Sequence, residues 1–142
     1  MAVKAYNEVI ERRRLRVYIA GPISSDPFEG VHRGMAAAKR MFLDGLAPYC
    51  PHWDAFLFIP HTDEAWNAYM EWDLEYVALC EAVYRLSGES KGADLEVERA
   101  EELGIPVFYE DLEKDGPAWF TTYDYEGLLA YAKRRGLDGR RK

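Results

Sequence analysis

The sequence predicts an α/β fold of three layers, with a parallel sheet of about four or five strands between two layers of helices. Three observations predict it. β-rich apolar runs alternate along the chain with segments whose apolar residues recur at helical spacing. The first such run, residues 15–20 (Leu-Arg-Val-Tyr-Ile-Ala), ends in Gly21-Pro22, the strongest strand-to-loop signal present. A second, residues 82–86 (Ala-Val-Tyr-Arg-Leu), passes through a short polar loop straight into a helix. Strands joined through helices make right-handed crossovers and hence parallel pairs, the Rossmann-like (flavodoxin-like) arrangement. Ligands of such sheets sit beyond the carboxyl ends of the strands, where strand order reverses. Loops 21–25 and 87–92 should therefore meet on one edge.

Taken in order, residues 3–13 read as a short leading helix within an arm of residues 1–14. Residues 15–20 form the first strand. Residues 30–46 read as a helix, with Ala36, Ala37 and Met41 packing inward and Gly45 as its stop. Residues 47–51 make a short second strand, and residues 52–61 are aromatic-rich and irregular. Asp63 caps a helix that runs to about Cys80. Residues 82–86 are the third strand, 93–103 a helix closed by Gly104, and 105–109 the fourth strand. Residues 110–122 read as a loop, 125–135 as the last helix and 136–142 as a basic tail. Without a repeat or low-complexity segment, residues 1–142 make a single domain.

Bulk properties narrow the function. With 142 residues, 49% of them hydrophobic, the chain can bury a real core. The net charge of −7 and the absence of a basic face in mid-chain exclude a nucleic-acid polymer as partner. The basic clusters at Arg12, Arg13, Arg14 and Arg16, and from Lys133 to the end, read as a solvated face and a frayed tail. Cys50 and Cys80 are too few for a disulfide framework and lack metal-ligand spacing. Cys80 lies in an apolar stripe as a small core residue. No signal peptide and no bilayer-spanning run is visible, so a cytoplasmic protein without membrane partners is expected.

Two acids stand where core residues belong. On the helix after the third strand, Ala93, Val97, Ala100 and Leu103 share a stripe. Glu96 falls inside that stripe, whereas Glu98, Glu101 and Glu102 fall outside. On the helix from Asp63, Asp73 lies amid Trp66, Tyr69, Met70, Val77 and Cys80. A buried carboxylate is costly and calls for a reason. Either acid alone serves as well to cap a loop or pair with an arginine. Both together, near two strand-end loops, point to a carboxylate pair dividing nucleophile and acid/base roles at a sugar carbon. Tyr18 places a phenol three residues before the first loop, or else packs as a sheet-core aromatic. Gly21, Pro22, Ile23 and Ser24 let backbone approach a ligand closely, without the Gly-x-Gly-x-x-Gly dinucleotide fingerprint. Ser90 and Gly92 can cradle an anion at a helix N-terminus, though Ser90 equally suits ordinary capping. His52, Trp53, Asp54 and Phe56 can stack on and read a nucleobase, or simply pack a loop. His61 reads as a loop histidine without function. No triad order, Cys-His pair or zinc spacing appears, and neither metal nor cofactor is expected.

The pattern Val17-Tyr18-Ile19-Ala20-Gly21-Pro22-Ile23, then Glu71-Trp72-Asp73-Leu74, then Ser90-x-Gly92-x-x-x-Glu96 resembles the nucleoside 2-deoxyribosyltransferase superfamily. Within it, the closer likeness is to 2′-deoxynucleoside 5′-monophosphate N-hydrolases and CMP N-glycosidases. The resemblance covers residues 15–109. It implies that Glu96 attacks C1′ and displaces the base, that Asp73 assists the departing base or orients the reacting groups, and that Tyr18 bonds the nucleophile and crowds the sugar 2′ position. It further implies that Ser90, Gly92, Ile23 and Ser24 hold a 5′-phosphate, and that a homodimer forms in which Thr121 or Thr122 reaches across. Some monophosphate hydrolases carry an arginine in the first loop. Here Ser24-Ser25 stands in that place, so Arg33 or Lys91 would have to substitute. The resemblance thus implies a hydrolase that cleaves the N-glycosidic bond of a nucleoside 5′-monophosphate through a glycosyl-Glu96 intermediate, with a base-exchanging transferase or a non-catalytic nucleotide-binding module as the alternatives.

Overall fold

The structure, a computed structural model, describes residues 13–23, 26–57, 59–116 and 124–139. The leading helix, Ser24, Thr121 and Thr122 lie outside the described residues, Arg13 excepted. The four strands are β1 (Arg16–Ala20), β2 (Ala47–Tyr49), β3 (Ala82–Arg85) and β4 (Val107–Tyr109). They form one parallel sheet in the order β2-β1-β3-β4. The order reverses between β1 and β3, so the crevice expected of such sheets opens there.

Alternation along β1 sorts the layers. Val17 and Ile19 face a core completed by Met41, Leu128 and Ala132, from helices α1 (Pro27–Leu43) and α5 (Tyr125–Arg134). Tyr18 and Ala20 face the opposite core, with Val77, Ala93 and Ala100 from α2 (Asp63–Leu79) and α3 (Lys91–Glu102). A short helix, α4 (Leu112–Asp115), interrupts the segment expected to be all loop.

Helix boundaries differ from expectation where a cap decides them. Helix α1 begins at Pro27, before Gly30, because Asp26 accepts from Glu29 N at 3.1 Å and proline suits the first turn. Thr62, one residue before Asp63, caps α2 through Ala65 N at 3.0 Å. Ser90 starts α3 two residues early, accepting from Ala93 N at 3.1 Å. Residues expected to be irregular instead wind into a 3-10 helix, Pro51–Leu57. Gly45 ends α1 as read, in the left-handed region at φ +92°.

Arg13, Arg16 and Arg135 are half-exposed, as a solvated face would be, whereas residues 137 and 138 are held against the segment before β1 rather than frayed. Leu15 N–H donates to the Leu137 carbonyl at 2.7 Å, and Arg14 bridges to Asp138. Arg14 Nη1 also caps α1 by donating to the Phe42 carbonyl at 2.9 Å. Arg13, Arg16 and Arg135 converge on Glu81, at 2.9, 3.1 and 3.6 Å. Such half-exposed pairs contribute under about 1 kcal/mol each, while burying Leu15 or Leu128 contributes roughly 1.5–3. Packing therefore holds these segments and the charges set their register. Among the described residues, no helix is long and apolar enough to cross a membrane.

Candidate active site

A cavity of about 640 Å³ opens over the β1–β3 crevice, within the size range of small-molecule sites. The expected residues Gly21, Ile23, His52, Asp73, Ser90, Gly92 and Glu96 all line it. Gly21 is needed for the walls to close, since a Cβ there would stand 2.8 Å from Leu86 Cβ at the end of β3.

Glu96 lies on the second turn of α3 and is 5% exposed. Its Oε2 has no hydrogen-bond partner, and neither has the hydroxyl of Tyr18, which is fully buried on β1 beneath it. Burial pushes the Glu96 carboxyl up to about 8, with Asp73 adding to the rise. The neighbouring Tyr18 hydroxyl works the other way, favouring the charged form, although their geometry stops short of a full hydrogen bond. Tyr18 itself is held far above the ordinary phenol range, first by burial and then by Glu96 and Asp73. Asp73, on α2, is pushed up to about 7 by burial and by Asp54. Both carboxyls are thus held above the ordinary carboxylate range, Glu96 higher than Asp73.

Asp54 is the acid that sequence reasoning left out of the catalytic set. It lines the cavity from the 3-10 helix, and burial pushes it up to about 6. Its only signal was its place in the His52–Phe56 cluster, because a 3-10 turn offers no sustained stripe in which an acid looks misplaced. His52 is buried, with Nδ1 3.4 Å from Cys50 Sγ and Nε2 unpartnered. Burial lowers it to about 4, so it is neutral at pH 7. His61, read as functionless, also lines the cavity.

Three expected contacts lie elsewhere. Tyr18, expected to crowd the sugar, is fully buried and does not line the cavity. Trp53 is not in the cavity wall: 40% exposed, it packs edge-on against Trp72 at 5.4 Å, because the 3-10 winding sends successive side chains to different faces. Pro22 also stands outside the lining, near Gly88. Of the two cations that could serve a phosphate, Arg33 is occupied, donating to the Ser87 carbonyl at 2.9 Å and to Glu110 at 2.6 Å. Lys91 lines the cavity, its Nζ 5.1 Å from the Trp66 ring centre.

The anion cradle has its own support. The N–H groups of Lys91 and Gly92 lie in the first turn of α3 and have no partner within the helix. The turn before them is held from below by Arg85 at the end of β3, 4% exposed. Arg85 donates to the carbonyls of Leu86 and Gly88, the latter at 2.8 Å, and to Asp94 at 3.1 Å. Its charge also favours the ionised form of Glu96.

Fold and site together define a parallel α/β protein with an acid-lined cavity at its topological switch point. The chain belongs to the family described as a domain of unknown function (DUF4406), which matches residues 15–109. No curated protein matches it. Solved structures do. A 2-deoxyribosyltransferase from Leishmania mexicana is 17% identical with a TM-score of 0.54, covering 82% of this chain and 95% of that one. A 2-deoxyribosyltransferase from the psychrotolerant bacterium Bacillus psychrosaccharolyticus is 17% identical with a TM-score of 0.51, covering 66% and 70%. That similarity establishes a shared fold, the one the sequence motifs led us to expect.

Proposed function

We propose that the protein is an enzyme that cleaves the N-glycosidic bond of a nucleoside 5′-monophosphate, releasing free base and sugar 5-phosphate. The observation that carries this reading is the meeting of Glu96 and Asp73, from two different helices, over the unpartnered Tyr18 hydroxyl at one cavity. A Glu96 carboxylate oxygen bonds C1′ as the C1′–N bond breaks. The bonding pair leaves with the base, and the Asp73 carboxyl supplies its proton. Water, deprotonated by Asp73, then attacks C1′ and frees Glu96. Tyr18 steadies the carboxylate, and Ser90, Gly92 and Lys91 receive the phosphate. Ile23 and the Gly21-Pro22 turn approach the sugar. The active unit is a homodimer.

A second reading is favoured by the shared fold with two 2-deoxyribosyltransferases: the sugar passes to another base instead of to water. Both readings use Glu96 as nucleophile. Chromatography of a panel of nucleotides and nucleosides, with and without a second base, separates free base from exchanged nucleoside. Glu96→Ala should lower base release by several orders of magnitude while keeping the fold. Release at the parental rate would falsify the assignment.

A further inference from the structure

Asp54 has no role in the chemistry above, yet it lines the cavity, and its carboxyl makes no hydrogen bond or ion pair with any described residue. It comes from the 3-10 helix after β2, whereas Ser90 and Lys91 stand at the start of α3, after β3. Those strands flank β1 on opposite sides, so Asp54 and the cradle reach the one cavity from opposite sides of β1. Asp54 and Asp73 line the same cavity, and the Asp54 charge raises Asp73. A nucleotide with its phosphate at Ser90 and its C1′ at Glu96 would carry its base into the part of that cavity that Asp54 lines.

We propose that Asp54 is a specificity-determining residue that selects nucleobases bearing an exocyclic amino group. This rests on the reading of the cavity as a nucleotide site. An ionised carboxyl only accepts hydrogen bonds. Guanine offers it a ring N–H and an adjacent amino group, and cytosine offers its amino group. Hypoxanthine lacks that amino donor. Uracil sets a carbonyl oxygen there, against a negative charge in a half-buried wall. Sites built to bond a substrate N–H discriminate strongly against analogues that lack it, because the buried polar group is left unpaired. Phe56 and the ring of Tyr69 line the same cavity and supply apolar area beside Asp54.

The test compares matched 2′-deoxynucleoside 5′-monophosphates that differ in the amino group, guanine against hypoxanthine and cytosine against uracil. Binding is measured by calorimetry at pH 8 on Glu96→Gln protein, where turnover is blocked, with and without Asp54→Asn. In whichever pair binds, the amino-bearing member should bind about tenfold or more tightly. Asp54→Asn, whose amide both donates and accepts, should bring that ratio close to one while the circular dichroism spectrum stays parental. A ratio near one with Asp54 present, or a ratio that Asp54→Asn leaves intact, overturns the proposal. Failure of every nucleotide to bind overturns it together with the nucleotide-site reading. Discriminating binding, with no base released by the unsubstituted protein, retains Asp54 as selector and removes the hydrolytic reading alone.

Discussion

Glu96 is stored at a cost. Its buried Oε2 and the Tyr18 hydroxyl both lack partners, and each such group costs on the order of 1–3 kcal/mol. The cost has a pH signature. Glu96 is raised from 4.5 to about 8, so the folded state holds its proton over a range where the unfolded chain has released it. Stability from this group is therefore complete below about pH 4 and is lost as pH climbs through about 8. Glu96→Gln removes the charge and keeps the shape. Its melting temperature should exceed the parent's at pH 8.5, by an amount equivalent to a few kcal/mol at most, and the gap should close by pH 4. Equal gaps at both pH values would show that Glu96 is not held protonated. At this scale much was legible, since an acid inside an apolar stripe is visible to anyone counting residues. The nearness of Tyr18 to Glu96 required the sheet, because they stand 78 positions apart in the chain and only the packing of α3 over β1 brings them together.

At the scale of the element, α3 and its leading turn are a unit that β3 positions. Arg85 ties the Leu86 and Gly88 carbonyls to Asp94, while Arg33 and Glu110 grip Ser87 from α1 and from the end of β4. Most of Arg85's worth lies in the carbonyl bonds, since Asp94 is 73% exposed and its pairing is screened. Arg85→Met keeps apolar bulk and removes the latch. On the proposed function, nucleotide cleavage should fall about tenfold or more in kcat/KM, with amide exchange accelerating at residues 87–92 first. Unchanged exchange across that turn would dismiss the latch. The elements themselves were readable from periodicity, and their exact starts were not. Asp26, Thr62 and Ser90 each win the cap because their oxygens reach an amide three residues on, a backbone geometry that spacing alone does not report.

At the scale of the whole molecule, the apolar surface is uneven. Phe28, Phe56 and Ile59 line the cavity yet are 84%, 56% and 45% exposed, so its rim is greasy. A second copy covering that rim would remove the exposed surface and enclose the cavity. Sedimentation should therefore report twice the 16.4 kDa of the chain, and Phe28→Asp should weaken the association. A monomer at micromolar concentration would reject the homodimer. The knot at Glu81 gathers Arg13, Arg16 at the start of β1 and Arg135 after α5, and the sequence did not report it: charge runs look alike whether or not an acid elsewhere awaits them.

The sequence by itself determined the strand and helix alternation, the parallel three-layer sheet and the two acids placed on inward faces. Each of these is a periodic property of a short window, and period decides which face a side chain takes. Only the tertiary structure decided that Asp54 and Lys91 share the cavity with Glu96, that Trp53 and Arg33 do not line it, and that residues 14–15 and 137–138 are held together. Those outcomes depend on where crossovers set loops from β1, β2 and β3 side by side. That is a matter of packing between segments far apart in the chain, and no local pattern records it.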